Sequence, residues 1–275
     1  MPELPEVETI RRDLAAELEG RSVTAVRIHQ PDIVMPPDTP EAFAGAVRGR
    51  RIEGLGRRAK YLLLRLSGDE VVQVQLRMTG RFALGASLPD PGEFSHVAAE
   101  FDLDDGRTLF YDDVRRLGGL RILDAEAWEE RASELGPEPL EEGFTPAVLG
   151  AALAGREAPV KNVLMDQRRV AGIGNIYAAE ALHAAGIDPR RPGGSLSEEE
   201  IETLHRTIRT TLEEALEAAG TTFRDYRAVN GRSGRFQSRL RVYGREGEPC
   251  RRCDTAVERI VQAGRSTFFC PVCQS

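Results

Sequence analysis

The chain has 275 residues, 41% hydrophobic and 29% charged, an ordinary globular composition with length enough for two domains. No apolar run approaches the ~20 residues of a membrane span, and the start, with Glu3, Glu6 and Glu8, has neither the basic nor the apolar region of a secretory signal, so a cytoplasmic protein without a membrane partner is expected. The net charge of −7 argues by itself against a polyanionic partner, yet residues 221–265 hold 11 arginines and five acids, net +6, and such a basic stripe keeps nucleic acid in play.

Residues 4–18 read as an amphipathic helix with Val7, Ile10, Leu14 and Leu18 on one face. Ahead of it stands Pro2-Glu3. Once Met1 is removed, Pro2 is a free secondary amine beside a carboxylate. A main-chain amine titrates near pH ~8 and a lysine near ~10.4, so this proline is a usable nucleophile that can form an iminium with an aldehyde-like carbon. The same residues equally suit a plain helix start, where proline is welcome. Residues 23–28, 61–66, 71–76, 97–103, 108–111 and 119–123 read as strands separated by turn signals such as Ser67-Gly68-Asp69 and Asp104-Asp105-Gly106. They predict an antiparallel sandwich flanked by one or two helices.

Leu135-Gly136-Pro137-Glu138-Pro139 breaks the periodicity and reads as a hinge. Helical patterns follow at 146–154, 160–166, 175–185 and 197–218, the last opened by a capping sequence, Ser197 to Glu200. Gly172-Ile173-Gly174-Asn175 precedes a helix: glycines let a phosphate approach, Asn175 can cap, and a helix start favours an anion. A simple turn and cap reads the same way. Met78 and Arg115 each sit in a turn, where an apolar wedge and a nearby arginine can fill the gap left by an extruded base; a core methionine and a surface arginine are the plainer reading. Only Lys60 and Lys161 are lysine among 37 basic residues. A buried lysine can give up its proton and arginine effectively cannot, which makes these two candidates for positions that a guanidinium cannot serve.

Cys250-Arg-Arg-Cys253 and Cys270-Pro-Val-Cys273 form two CxxC pairs. The spacing reads as a structural four-thiolate zinc site, with a pair of disulfides as the alternative. Four thiolates leave no open position for a substrate, so one zinc ion would stiffen the hairpin that bears Arg259 and Arg265.

Taken together, Pro2-Glu3-Leu4-Pro5-Glu6-Val7, Gly56 to Tyr61, Gln167 to Tyr177, Tyr243-Gly244-Arg245 and the tail from Gly264 to Gln274 resemble the formamidopyrimidine-DNA glycosylase family, relatives of endonuclease VIII. The resemblance runs end to end, and the Leu-Pro-Glu-Val start is similar to the purine-lesion branch. It implies an α+β protein: an N-terminal antiparallel β-sandwich domain (1–134), a hinge (135–145), a helix-two-turn-helix domain with a lesion loop (146–235) and a four-cysteine zinc finger (236–275), with damaged double-stranded DNA bound between the two main parts. It further implies a monomer without a nucleotide cofactor, which excises oxidised purines and nicks the strand by β,δ-elimination.

By match to the family's motifs, Pro2 would attack C1′ and Glu3 shuttle protons. Lys60 would contact phosphate or donate a proton in β-elimination, and Arg265 would grip phosphate and assist δ-elimination. Asn175, His96 and Arg156 would hold the backbone. Met78, Arg115 and Leu117 would fill the void, with Arg115 facing a cytosine. Thr222, Phe223, Arg224, Asp225 and Tyr226 would close over the flipped purine. The chain departs from the family pattern at Leu117, usually aromatic; at Gln75, often histidine; at Glu157, where a cation is expected and Arg156 substitutes; at Ala179, usually acidic; and in its low pI of 5.4. These departures bear on lesion range and DNA affinity. The resemblance leaves an oxidised-pyrimidine glycosylase and a non-catalytic zinc-finger DNA binder as competing readings.

Overall fold

The computed structural model describes residues 1–88, 94–221 and 234–275. By internal contacts the chain divides into two units: Met1–Ser133 with Ala219–Arg235, and Glu134–Ala218 with Phe236–Ser275.

The first unit opens with helix α1 (Leu4–Leu18), whose apolar face is fully buried. Strands β1 (Val23–Ile28), β2 (Ile52–Arg58), β3 (Tyr61–Leu66), β4 (Glu70–Gln75), β5 (Gly80–Gly85), β6 (Val97–Leu103), β7 (Thr108–Asp113) and β8 (Gly119–Asp124) follow, with helices α2 (Pro40–Val47) and α3 (Ala125–Ser133). Two four-stranded sheets form, ordered β1-β6-β7-β5 and β2-β3-β4-β8, and every neighbouring pair within them is antiparallel. Alternation explains the layering. Ala99, Phe101 and Leu103 of β6 point into one core with Leu62 and Leu64 of β3 and Ile10 and Leu14 of α1. Glu100 and Asp102 point outward and pair with Arg27 on β1, at 2.6 and 2.5 Å.

The expected sandwich is therefore present, with two strands more than the pattern predicts. In β2, Gly54, Gly56, Arg57 and Arg58 dilute the alternation, and β5 has a glycine at each end. Strand β7 runs two residues further than expected, through Asp112 and Asp113. Those acids read as turn residues in sequence, but both carboxylates are buried and hydrogen-bonded.

The second unit holds α4 (Pro146–Leu153), α5 (Val160–Met165), α6 (Asn175–Ala185), α7 (Glu198–Glu217) and the hairpin β9 (Glu258–Gln262) to β10 (Arg265–Phe269). Thr145 caps α4. Ser197 and Glu200 form a reciprocal capping box at α7. Gly186, at φ 76°, ends α6. No helix among the described residues is long and apolar enough to cross a membrane.

Candidate functional site

In the first unit the strand registers gather the sequence-predicted residues at one end. Arg58 pairs with Tyr61, which leaves Ala59-Lys60 as a two-residue turn. Tyr61 pairs with Gln75, and Gln75 pairs with Gly119. The β2–β3 turn with Lys60, the β4–β5 turn with Met78 and the β7–β8 turn with Arg115 and Leu117 therefore lie at the same end. His96 joins them, because its carbonyl accepts the Asp113 N–H at 3.1 Å.

Two adjacent carboxylates, both 0% exposed, organise this end. Asp113 accepts the Thr79 hydroxyl and the N–H groups of Gly118 at 2.7 Å and Arg115 at 3.3 Å. Asp112 accepts the His96 N–H at 2.6 Å and Arg81 Nε at 3.1 Å. Neighbouring polar turns would otherwise move independently; these bonds hold them in one frame. Met78, 45% exposed, and Leu117, 48% exposed, present apolar side chains to solvent at a polar surface, and Arg115 Nη1 lies 3.1 Å from Met78 Sδ. Close packing enforces the geometry. A Cβ on Gly118 would sit 2.1 Å from the Tyr111 hydroxyl, and one on Gly80 would sit 2.7 Å from it.

The start of α1 belongs to the same end. Arg57, at the close of β2, lies 3.4 Å from Glu8 of α1 and donates to the Ala59 carbonyl at 2.9 Å. Pro2 and Glu3 are buried while Met1 is exposed. The Glu6 carboxylate, 2% exposed, accepts the Glu3 N–H at 2.8 Å and the Thr221 N–H at 2.8 Å. It thereby fixes both the residue after Pro2 and the residue that leads into 222–233. Gly220 makes this approach possible, since a Cβ there would meet Glu6 Oε1 at 2.8 Å. Sequence reasoning gave Glu6, Asp112 and Asp113 no role. Glu6 had a detectable signal, an acid at the third position of a helix; the aspartate pair had none. Thr222, Phe223, Arg224, Asp225 and Tyr226 lie outside the described residues.

In the second unit Lys161 is the organising residue. It is 0% exposed, and its ammonium donates to Asn175 Oδ1 at 2.5 Å, Thr267 Oγ1 at 2.7 Å and the Ser266 carbonyl at 3.5 Å. Asn175 Nδ2 donates to the same carbonyl at 2.9 Å. The first residue of α6 is thus locked to the strand that begins with exposed Arg265. Ala263 and Gly264, at φ 46° and 74°, form the tight turn before Arg265. Arg156 lies in the turn after α4, where its carbonyl accepts the Gly194 N–H at 2.9 Å. Among the described residues it makes no hydrogen bond to Asn175 or to the hairpin.

The sulfurs of Cys250, Cys253, Cys270 and Cys273 lie within 4.8 Å of one another. A tetrahedron of thiolates at the ~2.3 Å zinc–sulfur distance has edges of about 3.8 Å. The Cys250–Cys273 and Cys253–Cys270 separations are 3.9 and 3.5 Å. Backbone N–H groups of Arg252 and Cys273 point at Cys250 and Cys270 sulfur, at 3.5 and 3.4 Å. The donor set fits one structural zinc ion, and all four positions are filled by protein.

Three family models match the chain: the formamidopyrimidine-DNA glycosylase N-terminal domain over residues 1–120, the H2TH domain of the same enzymes over 135–227, and the zinc finger found in FPG and IleRS over 247–275. A formamidopyrimidine-DNA glycosylase of Chloroflexus aggregans is 48% identical, covering 100% of this chain and 98% of its own. One from Geobacillus kaustophilus is 46% identical over the whole of both chains. Among solved structures, a Lactococcus lactis Fpg mutant in complex with Fapy-dG-containing DNA matches with a TM-score of 0.92 at 35% identity over 100% of both chains. The Thermus thermophilus Fpg protein matches at 0.88 and 42% identity, over 99% of this chain and 98% of that one. With its two glycosylase units and its tetrathiolate zinc finger, the chain belongs to the formamidopyrimidine-DNA glycosylase family, whose members remove damaged bases from DNA.

Proposed function

We propose that the protein is a bifunctional glycosylase and AP lyase that excises oxidised purines, 8-oxoguanine and formamidopyrimidines, through a Schiff base on Pro2. The observation that carries the reading is the gathering of Lys60, Met78, His96, Arg115 and Leu117 at the end of the first unit where α1 begins, directly after Pro2 and Glu3.

The chemistry follows from these groups. With Met1 removed, the Pro2 nitrogen has a lone pair for attack on C1′. The base leaves with its bonding electrons as the C1′–N bond to Pro2 forms; the nitrogen then loses its proton, the C1′–O4′ bond breaks with Glu3 protonating O4′, and the opened sugar is held as an iminium. The iminium acidifies the C2′ proton, its loss expels the 3′ phosphate, and a second elimination expels the 5′ phosphate. Lys60 and Arg265 are assigned to the phosphates that leave, and Asn175, His96 and Arg156 to the flanking backbone. Extruding a base costs a few kcal/mol of stacking. Met78, Arg115 and Leu117 would offset part of that cost by occupying the gap. Thr222 to Tyr226 are proposed to cover the flipped base. We further propose that the enzyme acts as a monomer, in the cytoplasm, without a nucleotide cofactor.

Borohydride trapping on duplex DNA carrying 8-oxoguanine opposite cytosine tests the reading. The expected product is a covalent adduct at the Pro2 nitrogen, together with a nicked strand. Pro2→Gly and Glu3→Gln should release base at least ~100-fold more slowly, the scale of a lost acid–base group, while folding as the parent does. Base release at the parental rate in Glu3→Gln would remove that acid from the mechanism. An adduct on Lys60 would keep the reaction and move the nucleophile.

A further inference from the structure

His183 lies on α6 beside the zinc finger, in the second unit with all four cysteines. It is 0% exposed, as is Cys250, and its Nε2 stands 3.4 Å from Cys250 Sγ. Its Nδ1 has no hydrogen-bond partner among the described residues. The fold therefore spends a buried polar ring on a single contact, and that contact is a zinc ligand.

We propose that His183 is the outer positioning residue of the zinc centre, donating its Nε2 proton to the Cys250 thiolate. Four thiolates around one zinc ion carry a net charge of −2; Cys250 and Cys270 are both 0% exposed, and Cys250 is the one within reach of this ring. A thiolate in that setting accepts hydrogen bonds and donates none, so a neutral imidazole with one polar neighbour carries its proton on the nitrogen facing sulfur. The Arg252 N–H supplies a second donor at 3.5 Å. Arg252 is itself anchored, since its guanidinium donates to the Ala184 carbonyl at 2.8 Å, at the end of α6. Helix α6 thus delivers two devices to the metal from adjacent residues, a donor from His183 and a tether from Ala184. A phenylalanine at position 183 would fill a similar volume and supply no proton, which separates this role from packing. The inference rests on the zinc centre alone and is independent of the DNA chemistry proposed above.

The test uses the full-length, zinc-loaded protein. In His183→Phe, competition with a chromophoric chelator should show zinc held about 10–100-fold more weakly, the usual scale for losing an outer-shell partner. Replacing zinc by cobalt should show the thiolate-to-metal charge-transfer band moving to longer wavelength in His183→Phe, because a hydrogen bond stabilises the sulfur lone pairs. His183→Gln, which keeps an N–H, should recover part of both effects. Parental zinc affinity in His183→Phe overturns the proposal, as does weakened affinity with an unmoved cobalt band, which marks a packing role. Should His183→Phe not fold, the parental protein loaded with cadmium-113 decides the question. Scalar coupling between the metal and a proton on His183 Nε2 supports the bond, and a His183 protonated at Nδ1 alone refutes it.

Discussion

At the residue scale, a few buried polar groups determine the geometry of the surface. Asp113 accepts three donors from two turns, and leaving a buried donor unsatisfied costs about 1–3 kcal/mol. Asp113→Ala is therefore expected to destabilise the protein by on the order of 3 kcal/mol, read in denaturant unfolding. It should also weaken binding to lesion-bearing DNA by freeing the turns that carry Met78 and Arg115. Parental affinity would show that the turns hold their shape without it. Gly118→Ala drives a Cβ onto the Tyr111 hydroxyl, a backbone carbonyl and Asp113 Oδ2 at 2.1, 2.7 and 2.8 Å. Over-packing of this kind costs roughly 1–3 kcal/mol. Tyr111→Phe should relieve part of that loss, since it removes the nearest of the three atoms; a double variant as unstable as the single one would place the strain in the backbone instead. Lys161 and Asn175 show the same economy. The sequence marks Lys161 only as a rare survivor among arginines, and burial with three oxygen acceptors supplies the reason, because a compact ammonium can point its protons in three directions and a planar guanidinium cannot.

At the scale of elements, the hairpin β9–β10 is held between two anchors, the thiolate cluster and Lys161. Lys161→Met removes the ammonium from Asn175, Thr267 and Ser266. It is expected to lower stability by about 2–5 kcal/mol through the unpaired groups left behind, with zinc retained, which thermal melting and metal analysis together measure. Lys161→Arg should not restore it. Arg265 stands at the exposed start of β10, and its proposed role predicts that Arg265→Ala weakens binding uniformly across sequences and lowers the salt slope by about one. An unchanged slope would take Arg265 off the phosphate. Strand boundaries were legible where an apolar run is set off by polar or turn residues, as in β1, β3 and β6, all of which match their expected limits. Strands β2 and β5 were hidden because glycine and arginine interrupt the pattern that a pleated strand imposes.

At the scale of the molecule, the zinc finger shares a small core with helix α6, where Cys250 and Cys270 pack with Ala179, Val242 and Val257. Zinc removal is expected to loosen the hairpin and reduce DNA affinity, while the first unit, which has an independent apolar core, keeps its strand signature in circular dichroism. Full DNA binding by demonstrably metal-free protein would separate the finger from recognition. The sequence by itself determined the order of most elements, the family and the four zinc ligands, because each is written in residues a few positions apart: CxxC spacing, the short motifs at the start and the tail, apolar periodicity. Only the tertiary structure decided which residues far apart in the chain share a frame. Glu6 with Thr221, Asp112 with His96 and Lys161 with Thr267 are joined by register and burial across 215, 16 and 106 positions. No local pattern encodes such pairs, since their partners become neighbours only when the sheets and helices have packed.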